Sequence, residues 1–415
     1  MTPELKGFLL LSAIKMLVVF TVTMVGVALL TLMERKVSAW MQNRRGPNRV
    51  GWAGLLQPAA DGVKNILKEE TLPGRANPII FMLAPVLAFV PAMILGAVIP
   101  WGAPVEVTFD FSLPLLGRFV HAGLMPLAVV DLPIGFLFVL AIGSLGVYGI
   151  ALAGWSSNSK YSLLGGLRSS AQMVSYEVAM GMSLIPVLLL SGNVSFSAII
   201  AEQQAGLWFV LPLFLSLFIF LISGFAETNR LPFDMPEAES ELVAGYHTEY
   251  SAMKFSMFFI AEYANIVTIA AMVVTLFFGG WDIPFTRWDE GGGVLAGAAT
   301  AAFMFLKVFF WIFVIMWVRW TLPRFRYDQL MAIGWKLLLP LALLYIMVTG
   351  FAILGIEQGL GVTNVRVKML LLFGGNVLLA YLVFFILDRG YIVSGVGPRR
   401  SSPALAEPER SAGVS

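Results

Sequence analysis

Two glutamates stand at depths where a glutamate is costly. Glu177 falls inside the apolar stretch 169–191 and Glu262 inside 248–278, about two and about four helical turns from their ends. An ionisable group there costs about 3 kcal/mol even on the lenient insertion scale, so it faces a polar cavity or a partner. Lys307, midway along 297–320, is the candidate partner. Between 207–225 and 248–278 lies AETNRLPFDMPEAESELVAGYHTEY, where Glu227, Asp234, Glu237, Glu239, Glu241 and Glu249 face only Arg230 and then Lys254 as cations. An acidic run by itself is more often a solvated face. The two deep carboxylates shift that balance, because carboxylates crowded in a low dielectric cannot all ionise together and come to share protons. That is what a proton relay requires. The alternative is a set of buried ion pairs that only holds the chain together.

A second constellation is basic. ERKVSAWMQNRRGPNRVG, with Arg35, Arg44 and Arg45 ahead of Gly46-Pro47, precedes GWAGLLQPAADGVKNILKEE. In the latter, Trp52, Leu55, Leu56, Val63, Ile66 and Leu67 recur at helical spacing, with Gln57, Asp61, Lys64, Asn65 and Lys68 opposite. This predicts an interfacial amphipathic helix, a common membrane-surface element. Next to a dense basic turn at headgroup depth, it frames a lateral entrance for an amphiphile with a polar head. Lys15, about two turns into the first apolar stretch, can snorkel outward and is read as silent. Gly291, Gly293 and Ala296 match a dinucleotide fingerprint in letters only, since no strand precedes them in a βαβ unit. Met and Phe are abundant as lipid-facing and packing residues.

These groups sit in a chain whose solvent is mostly lipid. Of 415 residues, 58% are hydrophobic and only 13% charged, with a mean hydropathy of +0.83. The apolar runs are too long for barrel strands of about ten residues, which leaves an all-α, polytopic transmembrane helix bundle. Spans are expected at 8–33, 78–100, 124–153, 169–191, 207–225, 248–278, 297–320, 337–357 and 368–388. The first lacks a small-residue cleavage site and is kept as a span. Residues 1–390 read as one transmembrane domain and 391–415 as a polar, disordered tail. Lys and Arg concentrate in 34–77 and alternate loops thereafter, which puts the N-terminus outside and the C-terminus in the cytoplasm. There is no cysteine, and the only histidines are His121 and His247. That excludes disulfides, thiolate-held iron–sulfur clusters, CxxCH haem and a His-rich metal site. A net charge of +2 gives no argument for nucleic acid.

The chain resembles the H-subunit family of NADH-quinone oxidoreductase, the quinone-chamber membrane subunit of respiratory complex I and the first mitochondrially encoded one in animals, over roughly residues 7–357. The resemblance rests on Glu34-Arg35-Lys36, Met41-Gln42, Arg45-Gly46-Pro47-Asn48, Gly54-Leu55-Leu56-Gln57-Pro58, Ala60-Asp61, Gly154-Trp155 and Ser157-Asn158-Ser159. It continues through Ser175-Tyr176-Glu177, Ala226-Glu227-Thr228-Asn229-Arg230, Pro232-Phe233-Asp234 and Glu239-Ser240-Glu241-Leu242-Val243. Glu249-Tyr250, Ala261-Glu262-Tyr263 and Pro323-Arg324-Phe325-Arg326-Tyr327-Asp328-Gln329-Leu330-Met331 complete it. The family pattern usually ends near an eighth span, whereas this chain continues through a ninth and a polar tail.

The resemblance implies a subunit of a proton-translocating NADH:quinone oxidoreductase, a translocase inactive alone, in a bacterial cell (inner) membrane. Its implied substrate is quinone, ubiquinone or menaquinone. FMN and iron–sulfur clusters would belong to partner subunits and no metal to this chain. The implied partners are the peripheral-arm subunits lining the quinone site, neighbouring small membrane subunits and lipid. Residues matching the family's quinone chamber and entrance are Arg35, Arg44, Arg45, Asp61, Arg230, Phe233 and Asp234. Those matching its acidic channel are Glu177, Glu227, Glu237, Glu239, Glu241 and Glu262, with Lys307 where the family has lysine. Three rivals stand beside this reading. The related anchor subunit of membrane-bound hydrogenases, or of dehydrogenases using a different electron donor, shares several acidic motifs. An independent ion-coupled transporter should show internal duplication and a broken helix pair, and neither is visible. A passive membrane anchor leaves Glu177, Glu262 and Lys307 without a purpose.

Overall fold

The computed structural model describes residues 2–113, 117–235, 239–284, 286, 292–362 and 364–388. Glu237 and the tail 391–415 lie outside the described residues. The first helix, α1 (Pro3–Met41), is 39 residues long. Thr2 caps it by accepting from the Leu5 amide at 3.3 Å, and Pro3 occupies a first-turn position where no amide is needed. At 1.5 Å per residue it is about 58 Å long, well beyond the bilayer core. It therefore carries Glu34 to Trp40 on an unbroken helix past the boundary at 33 expected from hydropathy.

A short turn at Trp52–Gly54 leads into α2 (Gln57–Leu67), the expected amphipathic helix. Its apolar face is bare within this chain: Leu67 is 79% exposed and Trp52, just before it, 84%. Next come α3 (Pro78–Leu95) and an element that the sequence reading missed, a hairpin of β1 (Val105–Leu113) and β2 (Gly117–Met125). The strands pair antiparallel from Val105 opposite Met125 to Leu113 opposite Gly117. The span expected over 124–153 therefore begins later, as α4 (Gly135–Ser156). Pro126 and Pro133 lack amide donors and Asp131 interrupts the apolar run, so residues 126–134 cannot extend the helix toward the strand.

The chain continues through α5 (Lys160–Ser191), α6 (Phe196–Ala205), α7 (Phe214–Glu227), the four-residue α8 (Glu239–Leu242) and α9 (Ala252–Phe277). After it come α10 (Val294–Thr321), α11 (Tyr327–Ala332), α12 (Leu339–Leu354) and α13 (Val365–Asp388). A π-helical segment at Ile333–Leu338 joins α11 to α12, and another follows at Gly355–Gly359. Among the described residues, eight helices are long and apolar enough to cross a membrane, with Phe214–Glu227 a shorter ninth. The expected span 207–225 shifts because the Phe209 and Gly279 amides both donate to Gln203 Oε1, at 3.2 and 3.0 Å, and so hold 207–213 as a turn.

Burial is uneven across the bundle. In its most apolar window α9 is 72% buried, whereas α1 is 17% buried. α9 is the axis and α1 an outer stave. One end collects the segments 42–77, 157–159, 228–251 and 322–326. There Thr71 Oγ1 meets Ser251 Oγ at 2.9 Å, the Asn77 amide donates to Ser156 O and the Phe325 amide to Pro232 O. The other end carries the hairpin, with β2 against α1 and β1 against α10. A Cβ on Gly7 of α1 would lie 2.2 Å from Val120 O, so only glycine permits that approach. Lys15 also proves to be engaged, donating to Pro126 O at 2.9 Å and Ala128 O at 3.1 Å where the chain leaves β2.

Candidate functional site

At the basic end, α1, α9, α10 and the loop after α7 converge on one buried charged network. Glu34 on α1 accepts from Arg319 of α10 through Oε1 and from the Tyr263 hydroxyl of α9, at 2.5 Å, through Oε2. The Arg230 guanidinium lies 4.5 Å from the centre of the Tyr263 ring and 3.2 Å from Glu262 Oε2. The Tyr246 hydroxyl donates to Glu262 Oε1 at 2.9 Å. Beside this group Arg324 donates to Asp234 Oδ2 at 3.0 Å. Glu34, Arg230, Asp234 and Glu262 are each less than a tenth exposed. Buried charges persist where they are paired and hydrogen bonded, and here carboxylates alternate with guanidiniums across four elements.

The loop that carries Arg230 and Asp234 is pinned from α5. Gln172 Nε2 donates to Ala226 O at 2.7 Å and Phe233 O at 2.8 Å, which fixes both ends of 226–233. Phe233 is buried between Tyr176 and Phe325, with ring centres 5.7 and 5.6 Å away. Burial pushes the Asp234 carboxyl up to about 6, against the pull of Arg324. Burial also moves the His247 imidazole down from its ordinary value, against the opposing charge of Glu262. Tyr250 is likewise pushed up by burial to about 12; its ring stacks on Phe81 at 4.0 Å.

Other nominated residues fall into separate groups. Arg35 pairs with Asp61 of α2 at 2.6 Å, both side chains partly exposed. Arg44 donates to Gln42 at 2.6 Å, and Arg45 is exposed. Glu241 pairs with Arg168 at 2.7 Å on the surface, away from the buried network. Glu239 begins α8. Glu227 closes α7, with Oε2 enclosed and without a hydrogen-bond partner, and its charged neighbour is Glu177 of α5.

Lys307 does not partner Glu262, contrary to the expectation from hydropathy alone. It donates to the carbonyls of Phe278, Gly280 and Asp282 at 2.8, 2.9 and 2.8 Å, just past the C-terminus of α9. Glu262 lies 16 residues before Phe278, about 24 Å along the helix. Lys307 also lies 4.3 Å from the centre of the Trp208 ring. It is thus a cation capping a helix end.

A lateral groove of about 1040 Å³ runs along α1 from Ile14 to Trp40, with Ala301 to Phe313 of α10 as its far wall. Lys36, Trp40 and Leu55 stand at its basic-end mouth, beside the Arg35–Asp61 pair. Lys15 and Lys36, which bound the groove, are 21 residues apart, about 31 Å and so about one hydrocarbon thickness. Among the described residues no cluster of three or more His, Cys, Asp or Glu side chains could hold a metal ion.

The family model described as NADH dehydrogenase matches residues 14–350. The chain belongs to the NADH dehydrogenase family. It is 51% identical over 340 residues to the NADH-quinone oxidoreductase H-subunit 1 of Geobacter sulfurreducens, covering 82% of this chain and 94% of the relative. Against the NADH-quinone oxidoreductase H-subunit 2 of Koribacter versatilis the identity is 52% over 346 residues, covering 82% and 96%. NADH-ubiquinone oxidoreductase chain 1 of Chondrus crispus is 49% identical over 339 residues, with 82% and 95% covered. The resemblance to the H-subunit family read from the motifs is therefore correct, as is the polytopic helical fold, with the hairpin added.

Family motifs also contained residues whose part in the network went unrecognised. Glu34 and Tyr263 stand inside Glu34-Arg35-Lys36 and Ala261-Glu262-Tyr263, and Arg324 inside the 323–331 stretch, yet none was nominated. Arg319 lies in the last turn of α10. Glu34 and Arg319 are 285 positions apart, so no spacing rule could have joined them.

Proposed function

We propose that this chain is the membrane subunit of a proton-pumping NADH-quinone oxidoreductase. It forms the quinone-access chamber with the peripheral arm and couples quinone reduction to proton translocation through its buried carboxylates. The observation that carries the reading is the network from Asp234 and Arg230 in the loop after α7 to Glu262 on α9 and Glu34 on α1. A charge appearing beside that loop would be felt by α1, α9 and α10 together, because breaking one pair leaves an uncompensated buried charge. The groove with its apolar walls and its mouth at Lys36, Trp40 and Leu55 supports lateral entry of an amphiphile from the bilayer.

In this reading electrons reach quinone through flavin and iron–sulfur clusters on partner subunits, and the chain is inactive alone. Arg35, Arg44, Arg45, Asp61, Arg230, Phe233 and Asp234 frame the chamber and its entrance. Glu177, Glu227 and Glu262, with Glu237, Glu239 and Glu241 in the adjoining loop, pass on the protonation change, while Lys307, where the family has lysine, holds the end of α9 beside that path. The N-terminus and hairpin face outward from a bacterial inner membrane, with the basic loops cytoplasmic. The test begins with tagged chain extracted in mild detergent, which should carry NADH-driven quinone reduction together with flavin and iron–sulfur spectra. In that preparation Glu227→Gln should lower turnover and pumping at an unchanged amount of assembled particle. Full pumping by that variant would remove the relay; a particle oxidising hydrogen instead would move the chain to the hydrogenase branch.

A further inference from the structure

The enclosed Glu227 carboxyl borders a small cavity among α3, α4, α5, α7 and α9. Its volume is about 20 Å³, against the 10 to 15 Å³ that one water needs by the same measure. Most of the wall is apolar, including Leu95, Leu140, Met180 and Met272. The polar residues on it are Glu227, Asn265 and Thr268. Glu227 Oε2 is buried without a hydrogen-bond partner. Thr268 Oγ1 donates to Ala264 O at 3.1 Å, so its lone pairs stay available to a donor. An apolar cavity stays dry, but one that holds an orphaned carboxyl oxygen beside an amide and a hydroxyl gives a water its two to four partners.

We propose that this cavity is a built water site, in which a water bridges Glu227 to Asn265 and Thr268, and that Gly143 is the residue that keeps it open. The proposal rests on the relay reading of Glu227 and supplies what that reading lacks, a hydrogen-bonding link from Glu227 to α9. Asn265 is three residues after Glu262, one turn along the same helix, where side chains are neighbours. The water thus lies between the isolated carboxyl and the charged network. It can donate to Glu227 as a carboxylate or accept from it as the acid, which no apolar filler could do.

Gly143 gives this a clean handle. A Cβ there would meet a single atom within 4 Å, Glu227 Oε1 at 3.6 Å, which is ordinary contact. Alanine also suits a helix interior better than glycine. The added methyl would occupy the water's place without displacing backbone. Gly181 on α5 is the matched control, since its Cβ would meet only Leu140 Cδ1, at 3.7 Å.

The experiment uses the assembled complex. A map that resolves waters elsewhere in the bundle should show density between Glu227, Asn265 and Thr268, absent in Gly143→Ala. Gly143→Ala should slow coupled proton translocation roughly tenfold, as loss of a hydrogen bond to a charged group implies, with Gly181→Ala unchanged. An empty cavity in the parent map would overturn the proposal. Equal rates for the two alanine variants would also overturn it, because the space would then have no bearing on Glu227. If Glu227→Gln pumps normally while the water density remains, the relay reading fails and the water site stands.

Discussion

The two ends of α9 hold charge in opposite ways. In its first half, Glu262 and Tyr263 are bound into a network where every carboxylate is answered by a guanidinium on another element. Just past its last turn, Lys307 is held by three backbone carbonyls and aromatic faces. Carbonyl dipoles are fixed and do not titrate, so the Lys307 arrangement is local. Paired charges depend on one another, so disturbing one is felt by its partners across the bundle. The first arrangement is suited to transmitting a change, the second to holding a helix end.

The sharpest test of that contrast is Arg230→Ala. Breaking a buried pair costs about 3 to 5 kcal/mol, so thermal unfolding of the purified complex should shift strongly downward. Arg230→Met combined with Glu262→Met should recover most of that loss, since no unpaired charge remains. Lys307→Met should cost less, about 2 kcal/mol at most, the range for a partly buried cation at a helix C-terminus. A loss as large as that of Arg230→Ala would erase the distinction.

Titration sharpens the same comparison. Asp234 is raised from 3.8 to about 6. Between those values the folded chain holds a proton that the unfolded chain has released, so this group's contribution to stability falls as pH rises through the window and is least favourable above about 6. Its ion pair with Arg324 forms only as the folded carboxyl ionises, as pH rises past about 6. A step in turnover near pH 6 should therefore be present in the parent complex and absent in Asp234→Asn, read from a pH–rate profile. The smallest effect belongs to Arg168→Ala. Its pair with Glu241 is partly exposed, and surface pairs contribute a few tenths of a kcal/mol, so unfolding and turnover should stay within error of the parent.

Some of this was legible residue by residue. Glu177 and Glu262 stood out because lipid makes an ionisable residue conspicuous, and the face of α2 because helical periodicity is a local property. The hairpin was hidden because Val105–Leu113 and Gly117–Met125 lie beside apolar runs whose hydropathy masks the two-residue alternation of a strand. The Lys307 partner was misread because hydropathy gives depth but not direction, and Glu262 and Lys307 are both deep.

The sequence by itself determined the solvent, the helical architecture, the family and the residues able to ionise, because each follows from side-chain chemistry or from runs of neighbours in the chain. Only the tertiary structure decided which ionisable residues meet. Glu34 and Arg319, or Arg230 and Tyr263, come together because packed helices bring distant turns to one level. It also decided that Glu227 Oε2 would be left without a hydrogen-bond partner beside a water-sized space, since a cavity is a property of five helices at once.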